Sequence, residues 1–255
     1  CPVTREYLAA KVFRHTASYD TMIASYLTER TGEKYPEKFT ITFDKVQELR
    51  YGENPHQSAA FYKGMNPQYS LANAKQLHGK ELSYNNIQDG NAAIEILKDF
   101  EGQPAVVGLK HMNPCGVGIG KTIEEAWDKA YEADPVSIFG GIVAFNEPIH
   151  AAVAEKLSKI FLEIIIAPAF DEDAFEILSK KKNIRLMQLD TSLEVNARYK
   201  VTNVNDGLLV QDIDDHKITA EDLRCVTNRK PTEEELEQLL FAWKVVKHVK
   251  SRSEE

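Results

Sequence analysis

The chain has 255 residues, 43% of them hydrophobic and 27% charged, and a net charge of −8 at neutral pH. That length suits one large domain or two small ones, and the acidic balance leaves no electrostatic footprint for nucleic acid across the chain as a whole. No apolar run approaches the roughly 18 residues that a membrane span needs, so neither nucleic acid nor a membrane is expected as a partner, while a local anion site stays open.

The start, Cys1-Pro2-Val3-Thr4-Arg5-Glu6, is neither a signal peptide nor a methionine start, and the chain is expected to begin inside a longer protein. Thr4 is placed to cap a first helix, in which Leu8, Ala9, Val12, Phe13, Ala17, Met22, Ile23 and Leu27 recur at helical spacing. Residues 28–38 are polar and contain Gly32 and Pro36, which reads as a connection. Phe39-Thr40-Ile41-Thr42-Phe43 alternates as a strand. Val46–Tyr51 leads into a loop at 52–57, and Ala59–Tyr62 resumes extended structure.

After a mixed stretch at 72–84, a helix opens near Asn85 or Asn86, either of which would cap it. Ala105-Val106-Val107-Gly108 is a short buried strand that runs through Leu109-Lys110-His111-Met112 into Asn113-Pro114-Cys115-Gly116-Val117-Gly118, read as a turn or loop. Thr122-Ile123-Glu124-Glu125 is a capping box for the next helix, which Asp134-Pro135 stops. A strand at 142–145, a helix at about 151–160, a strand at 164–168, a helix at about 172–178 and a strand at 184–189 follow. Helices alternating with short apolar strands predict an α/β fold, a mostly parallel sheet with helices on its faces. Residues 201–212 read as a strand pair near the sheet edge. Thr232-Glu233-Glu234-Glu235 starts a last amphipathic helix through Trp243 and Val249, before a polar end at 251–255.

Cys1, Cys115 and Cys225 are few, odd in number and widely spaced, which suits a reducing compartment such as the cytoplasm and argues against a disulfide framework. His111 and Cys115 lack the further close ligands that a structural zinc site needs. No internal repeat and no low-complexity segment is visible.

Several residues are candidates for chemistry. Lys110 and His111 stand side by side where a core strand opens, and in open α/β sheets ligands bind outside the carboxyl ends of strands. His111 is a candidate general base, and Lys110 a positive charge for a developing oxyanion. Adjacent strand residues face opposite ways, so both reach one substrate only if the strand has broken. The competing reading is a structural histidine beside a lysine that snorkels to solvent. The loop Arg50-Tyr51-Gly52-Glu53-Asn54-Pro55-His56-Gln57 is dense in donors suited to phosphate, or is a solvated turn. Asn86 is either a cap or a ligand to substrate. Ser137-Ile138-Phe139-Gly140-Gly141 lets a ligand approach Gly140, or is a strand-entry turn. Glu163, read as part of an apolar strand, needs a donor if buried. The run Lys180–Lys182 suits a helix C-terminus, and one of its lysines is in reach of a phosphate.

Taken in order, the motifs Arg50–Gln57, Tyr84-Asn85-Asn86-Ile87-Gln88-Asp89, Leu109–Gly116 and Ser137–Gly141 resemble the bifunctional purine-biosynthesis family that joins AICAR transformylase to IMP cyclohydrolase. The segment from Arg5 to Leu27, with His15-Thr16-Ala17-Ser18-Tyr19-Asp20, resembles the stretch where the cyclohydrolase hands over to the transformylase. The resemblance runs from about Arg5 to Ser251. It implies transfer of a formyl group from 10-formyltetrahydrofolate, as cosubstrate, to the 5-amino group of AICAR. It further implies a cytidine-deaminase-like α/β/α layered subdomain of the transformylase, a homodimer with sites at the interface, and no catalytic metal. The deaminase zinc signature, H-x-E with P-C-x-x-C, is missing, which agrees with that last point.

By the same resemblance, Lys110 and His111 match the catalytic pair, Arg50 and Tyr51 match nucleotide-binding positions with Lys182 joining them at the phosphate, and Asn86, Gly140 and Glu163 match positions that hold the AICAR base and ribose. It divides the chain into a linker helix at 1–30, a first transformylase subdomain at 31–250 and a polar tail at 251–255. A cyclohydrolase domain would precede Arg5, and a second transformylase subdomain, with an asparagine near the formyl group and much of the folate pocket, would follow Val249. Two outcomes are therefore expected to compete: a formyltransferase, and a non-catalytic AICAR-binding or dimerisation fragment.

Overall fold

A computed structural model describes residues 2–250; Cys1 and the polar tail at 251–255 lie outside the described residues. In chain order the elements are α1 (Pro2–Thr31), β1 (Asp44–Leu49), β2 (Ala59–Lys63), β3 (Lys75–His78), α2 (Tyr84–Lys98), β4 (Ala105–Lys110), β5 (Asn113–Ile119), α3 (Ile123–Ala133), β6 (Ile142–Phe145), α4 (Ala151–Ser158), β7 (Ile164–Ala167), α5 (Glu172–Ser179), β8 (Arg185–Gln188), β9 (Tyr199–Val204), β10 (Gly207–Asp212) and α6 (Glu233–Val246). Among the described residues, no helix is long and apolar enough to cross a membrane.

The chain divides into two units, one of residues up to Glu48 with Ala60–Asn66, the other of Leu49–Ala59 with everything from Pro67 on. The first is dominated by α1, which buries none of its residues. Its start at Pro2 leaves Thr4 inside the helix rather than at its cap, since proline's fixed φ suits a first turn. It ends where Gly32 turns left-handed at φ +72°. Phe39–Phe43 is not a strand; extended pairing begins at Asp44, and β1 pairs with β2.

The second unit is built on a six-stranded sheet in the order β3-β8-β7-β6-β4-β5. It is mixed, not mostly parallel: β6–β7 and β7–β8 are parallel, while β3–β8, β4–β6 and β4–β5 are antiparallel. Two strands run against their neighbours: β4, which lies between β5 and β6, and β3, at the edge beside β8. Side chains alternate across the sheet as the pleat requires. Val106, Val143, Phe145, Ile165 and Leu186 meet α3, α4 and α5 in one core cluster. Val107, Leu109, Ile142, Ala144, Ile164 and Ile166 meet α2 in the other, where Phe241 and Val245 of α6 also pack. Helices thus cover both faces, and the layered α/β expectation holds. Strands β6 and β7 are buried throughout, which is why their sequences read as continuous apolar runs instead of alternating ones.

Two local expectations shift. The segment from Asn113 is a strand, β5, and not a loop. Pro114 is tolerated there because β5 is the sheet edge and the ladder is irregular opposite it, between Gly108 and Leu109. The pair at 199–212 forms its own two-stranded sheet, β9–β10, rather than extending the main sheet.

The two cysteines within the described residues are free and sit in opposite settings. Burial pushes the Cys115 thiol up to about 11, with Asp134 adding to the effect. Hydrogen bonding to Thr227 lowers that of the exposed Cys225. Because the thiolate is the nucleophile, iodoacetamide at pH 8 should label Cys225 on the order of 100-fold faster than Cys115. Peptide mass spectrometry of a labelling time course checks this; equal rates would contradict the two environments.

Candidate active site

Strand register places the candidate residues at one end of the sheet. Leu109 pairs with Ile142, Ile142 with Ile164, and Ile164 with Arg185, so these four form one row across β4, β6, β7 and β8. One residue beyond the row stand Lys110, Gly141, Glu163 and Ile184. Backbone bonds continue the ladder there, Glu163 N–H donating to Gly141 O and Arg185 N–H to Glu163 O, both at 3.0 Å. This end is the carboxyl end of β4 and β3 but the amino end of β6, β7 and β8. The candidate residues thus stand beyond the carboxyl end of β4 and before the amino ends of β6, β7 and β8, which run parallel to one another. Two strand spacings, about 10 Å, separate β4 from β7.

Lys110 closes β4, and its Nζ donates to Phe139 O at 3.0 Å. It therefore reaches the Ser137–Gly141 loop. His111 and Met112 form the two-residue turn of the β4–β5 hairpin, with φ of +53° and +59°. Both are left-handed, the geometry that usually demands Asn-Gly. Here the strand breaks between Lys110 and His111, and the break comes from the turn rather than from Asn113-Pro114. Met112 packs against the α2-side core, while His111 is exposed.

The Ser137–Gly141 loop is held by what surrounds it. Asp134 Oδ1 accepts from Val136 and Ser137 N–H at 3.1 and 2.8 Å. Ile138 is fully buried against the side of β4 where Gly108 has no side chain. Gly140, at φ +74°, donates its N–H to Phe161 O at 2.8 Å. A Cβ on Gly141 would lie 2.7 Å from Leu109 O, so only glycine lets this loop lie against the end of β4. Phe139 and Phe161 are exposed at the rim with ring centres 5.5 Å apart.

Asn86 is not the cap of α2. Ser83 is, and Asn86 stands three residues on as its reciprocal partner: Ser83 Oγ accepts from Asn86 N–H and Asn86 Oδ1 from Ser83 N–H, each at 3.2 Å. With its carbonyl so engaged, the Asn86 amide donates to Glu163 Oε2 at 2.8 Å. Glu163 precedes β7 instead of lying within it, and Arg185 Nη1 stands 3.8 Å from the same oxygen. Arg185 Nε also donates to Glu81 O at 3.2 Å. One carboxylate oxygen of Glu163, Oε2, thus has both named contacts.

Ser83 and Arg185 were not among the sequence candidates. Ser83-x-x-Asn86 has capping-box spacing, and Arg185 is a cation in an apolar run, so both carried a signal. Asp89, one turn along α2, accepts from Met112 N–H at 2.9 Å.

Lys110, His111, Asn86, Gly140 and Glu163 therefore gather at one sheet end. Lys182 lies exposed in the α5–β8 connection that leads to the same end; its neighbour Lys181 is the one turned inward, to Ile160 O. Arg50 and Tyr51 lie on the β1–β2 loop, where the exposed guanidinium is 5.8 Å from the Tyr51 ring centre and Gly52 N–H closes the loop onto Gln57 O at 2.8 Å. Among the described residues, no hydrogen bond links that loop to the Lys110 end, and no group of three or more His, Cys, Asp or Glu is arranged to hold a metal ion.

Comparison with known proteins bears on this arrangement. The family described as AICARFT/IMPCHase bienzyme matches residues 2–253. The chain is 60% identical over 250 residues to the bifunctional purine biosynthesis protein PurH of Oceanobacillus iheyensis, covering 98% of this chain and 49% of that protein. It is 62% identical over 251 residues to the PurH of Anoxybacillus flavithermus, with the same coverage. Against the PurH of Bacillus subtilis it is 58% identical over 247 residues, 96% of this chain and 48% of that one. The chain spans about half the length of these relatives. With a family match along nearly all of its length and relatives about 60% identical across nearly the whole chain, the chain belongs to the AICARFT/IMPCHase bienzyme family.

Proposed function

We propose that this chain serves purine biosynthesis as the transformylase part of the bienzyme, moving a formyl group from 10-formyltetrahydrofolate to the 5-amino group of AICAR. The observation that carries the reading is the hairpin end itself: a lysine closing β4 and a histidine in a left-handed turn, two strand spacings from a carboxylate held by Asn86. Chemistry then follows from the residue types. The amine nitrogen attacks the formyl carbon, and a carbon–nitrogen bond forms. His111 takes the proton that the amine sheds. The ammonium of Lys110, with N–H groups beyond the one given to Phe139 O, stabilises the oxyanion. The bond to the folate nitrogen breaks, and a proton goes to that nitrogen to give tetrahydrofolate.

The remaining candidates take binding roles in the same reading. Asn86, Gly140 and Glu163 hold the base and ribose, and Arg50, Tyr51 and Lys182 take the phosphate. The aromatic pair Phe139–Phe161 on the rim suits a surface that folate or a second copy in a homodimer covers. No catalytic metal is invoked, and the cytoplasm is the expected compartment. The alternative reading is AICAR binding or dimerisation without turnover.

Calorimetry with AICAR tests the proposal. Binding is expected, about tenfold weaker in Lys110→Ala as a charged contact is lost. Absence of heat at millimolar AICAR would sink it. Binding without tetrahydrofolate formation from 10-formyltetrahydrofolate would decide for the second reading.

A further inference from the structure

The hairpin turn at His111–Met112 carries a conformational cost that its own residues do not explain. Left-handed φ is unfavourable for any residue with a Cβ, and it persists only where the surroundings over-determine it. In a two-residue hairpin the flanking pair, here Lys110 and Asn113, closes the ladder, and the N–H groups of the turn need partners elsewhere. Asp89 supplies one. It stands one helical turn beyond Asn86 on α2, and its Oδ1 takes the Met112 N–H at 2.9 Å. It has no part in capping α2, which Ser83 and Asn86 accomplish. The His111 backbone N–H acts on the same carboxylate, so both residues of the turn face Asp89.

We propose that Asp89 is a positioning residue: its carboxylate clamps the His111–Met112 turn in the left-handed conformation and so sets where the His111 imidazole stands beside Lys110. The inference rests on the reading of His111 as the proton acceptor. The electrostatics around Asp89 agree with the geometry. Burial raises its carboxyl, the Met112 N–H and the His111 charge act to lower it, and Glu163 acts to raise it. A half-buried carboxylate held this way is costly unless its acceptor function is used. Helix α2 then organises two parts of the site from successive turns, Glu163 through Asn86 and the hairpin through Asp89.

The test compares Asp89→Ala with Asp89→Asn in this chain, because the asparagine keeps the acceptor and loses the charge. In Asp89→Ala, Met112 amide exchange should quicken by about tenfold or more, the size set by a hydrogen bond to a charged group. The His111 ring proton shifts should move with it. Formyl transfer should lose about 10–100-fold in kcat, as expected of a misplaced catalytic group, with KM for AICAR within about threefold. Asp89→Asn should return all of these to near wild type. Unchanged Met112 exchange in Asp89→Ala, a defect confined to KM, or a kcat loss that Asp89→Asn does not restore would each overturn the clamp. Should Asp89→Ala fail to fold, Asp89→Glu carries the test: a carboxylate displaced by one methylene should quicken Met112 exchange about threefold, and unchanged exchange overturns the proposal. A wild-type chain that transfers no formyl group would defeat the proposed function instead, while exchange and ring shifts would still decide the clamp.

Discussion

On the proposed function, replacing His111 with glycine should remove formyl transfer and leave the fold as stable as before or more so. The two effects have separate origins. At φ +53° the histidine backbone is in a region that glycine enters freely, and relief of that strain is worth about 1–2 kcal/mol. Against it stands the extra freedom that glycine gains in the unfolded chain, about 0.5–1 kcal/mol. The balance is a small gain. Loss of a general base costs about 10²–10⁴-fold in rate. A melting curve and a transfer assay on the same preparation measure both. A clear fall in melting temperature would mean that the imidazole itself holds the hairpin, and unimpaired transfer would remove His111 from the mechanism. The opposed signs matter more than either magnitude: a residue that costs stability where it stands is kept there for something other than folding.

Gly116→Ala should be the most damaging small change in the sheet. An ideal Cβ on Gly116 would lie 2.0 Å from Ala130 O, and one on Gly118 would lie 2.1 Å from Ala126 O. Both oxygens belong to the backbone of α3, so no side chain can rotate away. Ala126 and Ala130 are themselves fully buried, which leaves small residues on both sides of the closest helix-to-strand contact. Admitting one methyl group means lifting α3 off β5 and opening the core around Trp127. A cost of about 3 kcal/mol is expected, at the upper end for overpacking, which corresponds to a melting temperature lower by about 6–12 °C for a unit of this size. Gly102→Ala is the matching control. Gly102 is left-handed at φ +84° with nothing within 4 Å of its added Cβ, so the substitution meets conformational strain without a clash and should cost about 1 kcal/mol. Equal losses at the two positions would show that the α3–β5 contact has room to give.

Much of this unit was legible because its apolar runs and caps are local signals. The strand at 142–145, the helices of α4 and α5, and the Thr232 box that opens α6 follow from spacing alone. Strand direction was not. It depends on β4 lying between β5 and β6, and no residue in β4 records which neighbours it takes. The loop reading of Asn113–Gly118 failed because proline and glycine signal turns only while the segment is free of a sheet. At an edge strand packed closely under a helix, the same residues are what the strand needs. At the sheet end, Lys110, His111, Gly140 and Glu163 stand out by residue type, but the cap reading falls on Asn85 or Asn86 when Ser83 caps the helix. Partnerships across long separations, such as Asn86 with Glu163 or Asp89 with Met112, leave no trace in local spacing.

The far end of the sheet is finished differently. There Asn146 joins neighbouring connections: its Oδ1 accepts from Ala105 N–H at 2.8 Å, its amide donates to Gln103 O at 2.7 Å, and its backbone carbonyl receives Thr191 Oγ1 at 2.9 Å. One residue there thus ties the approach to β4 to the segments that follow β6 and β8, while at the Lys110 end the Ser137–Gly141 loop and the β4–β5 turn are held by separate bonds to Phe161 and Asp89. Such a division lets the loops change in length and chemistry, and with them the molecule that is recognised, without disturbing the register beneath. At the Asn146 end, by contrast, displacement of one residue would release three segments together.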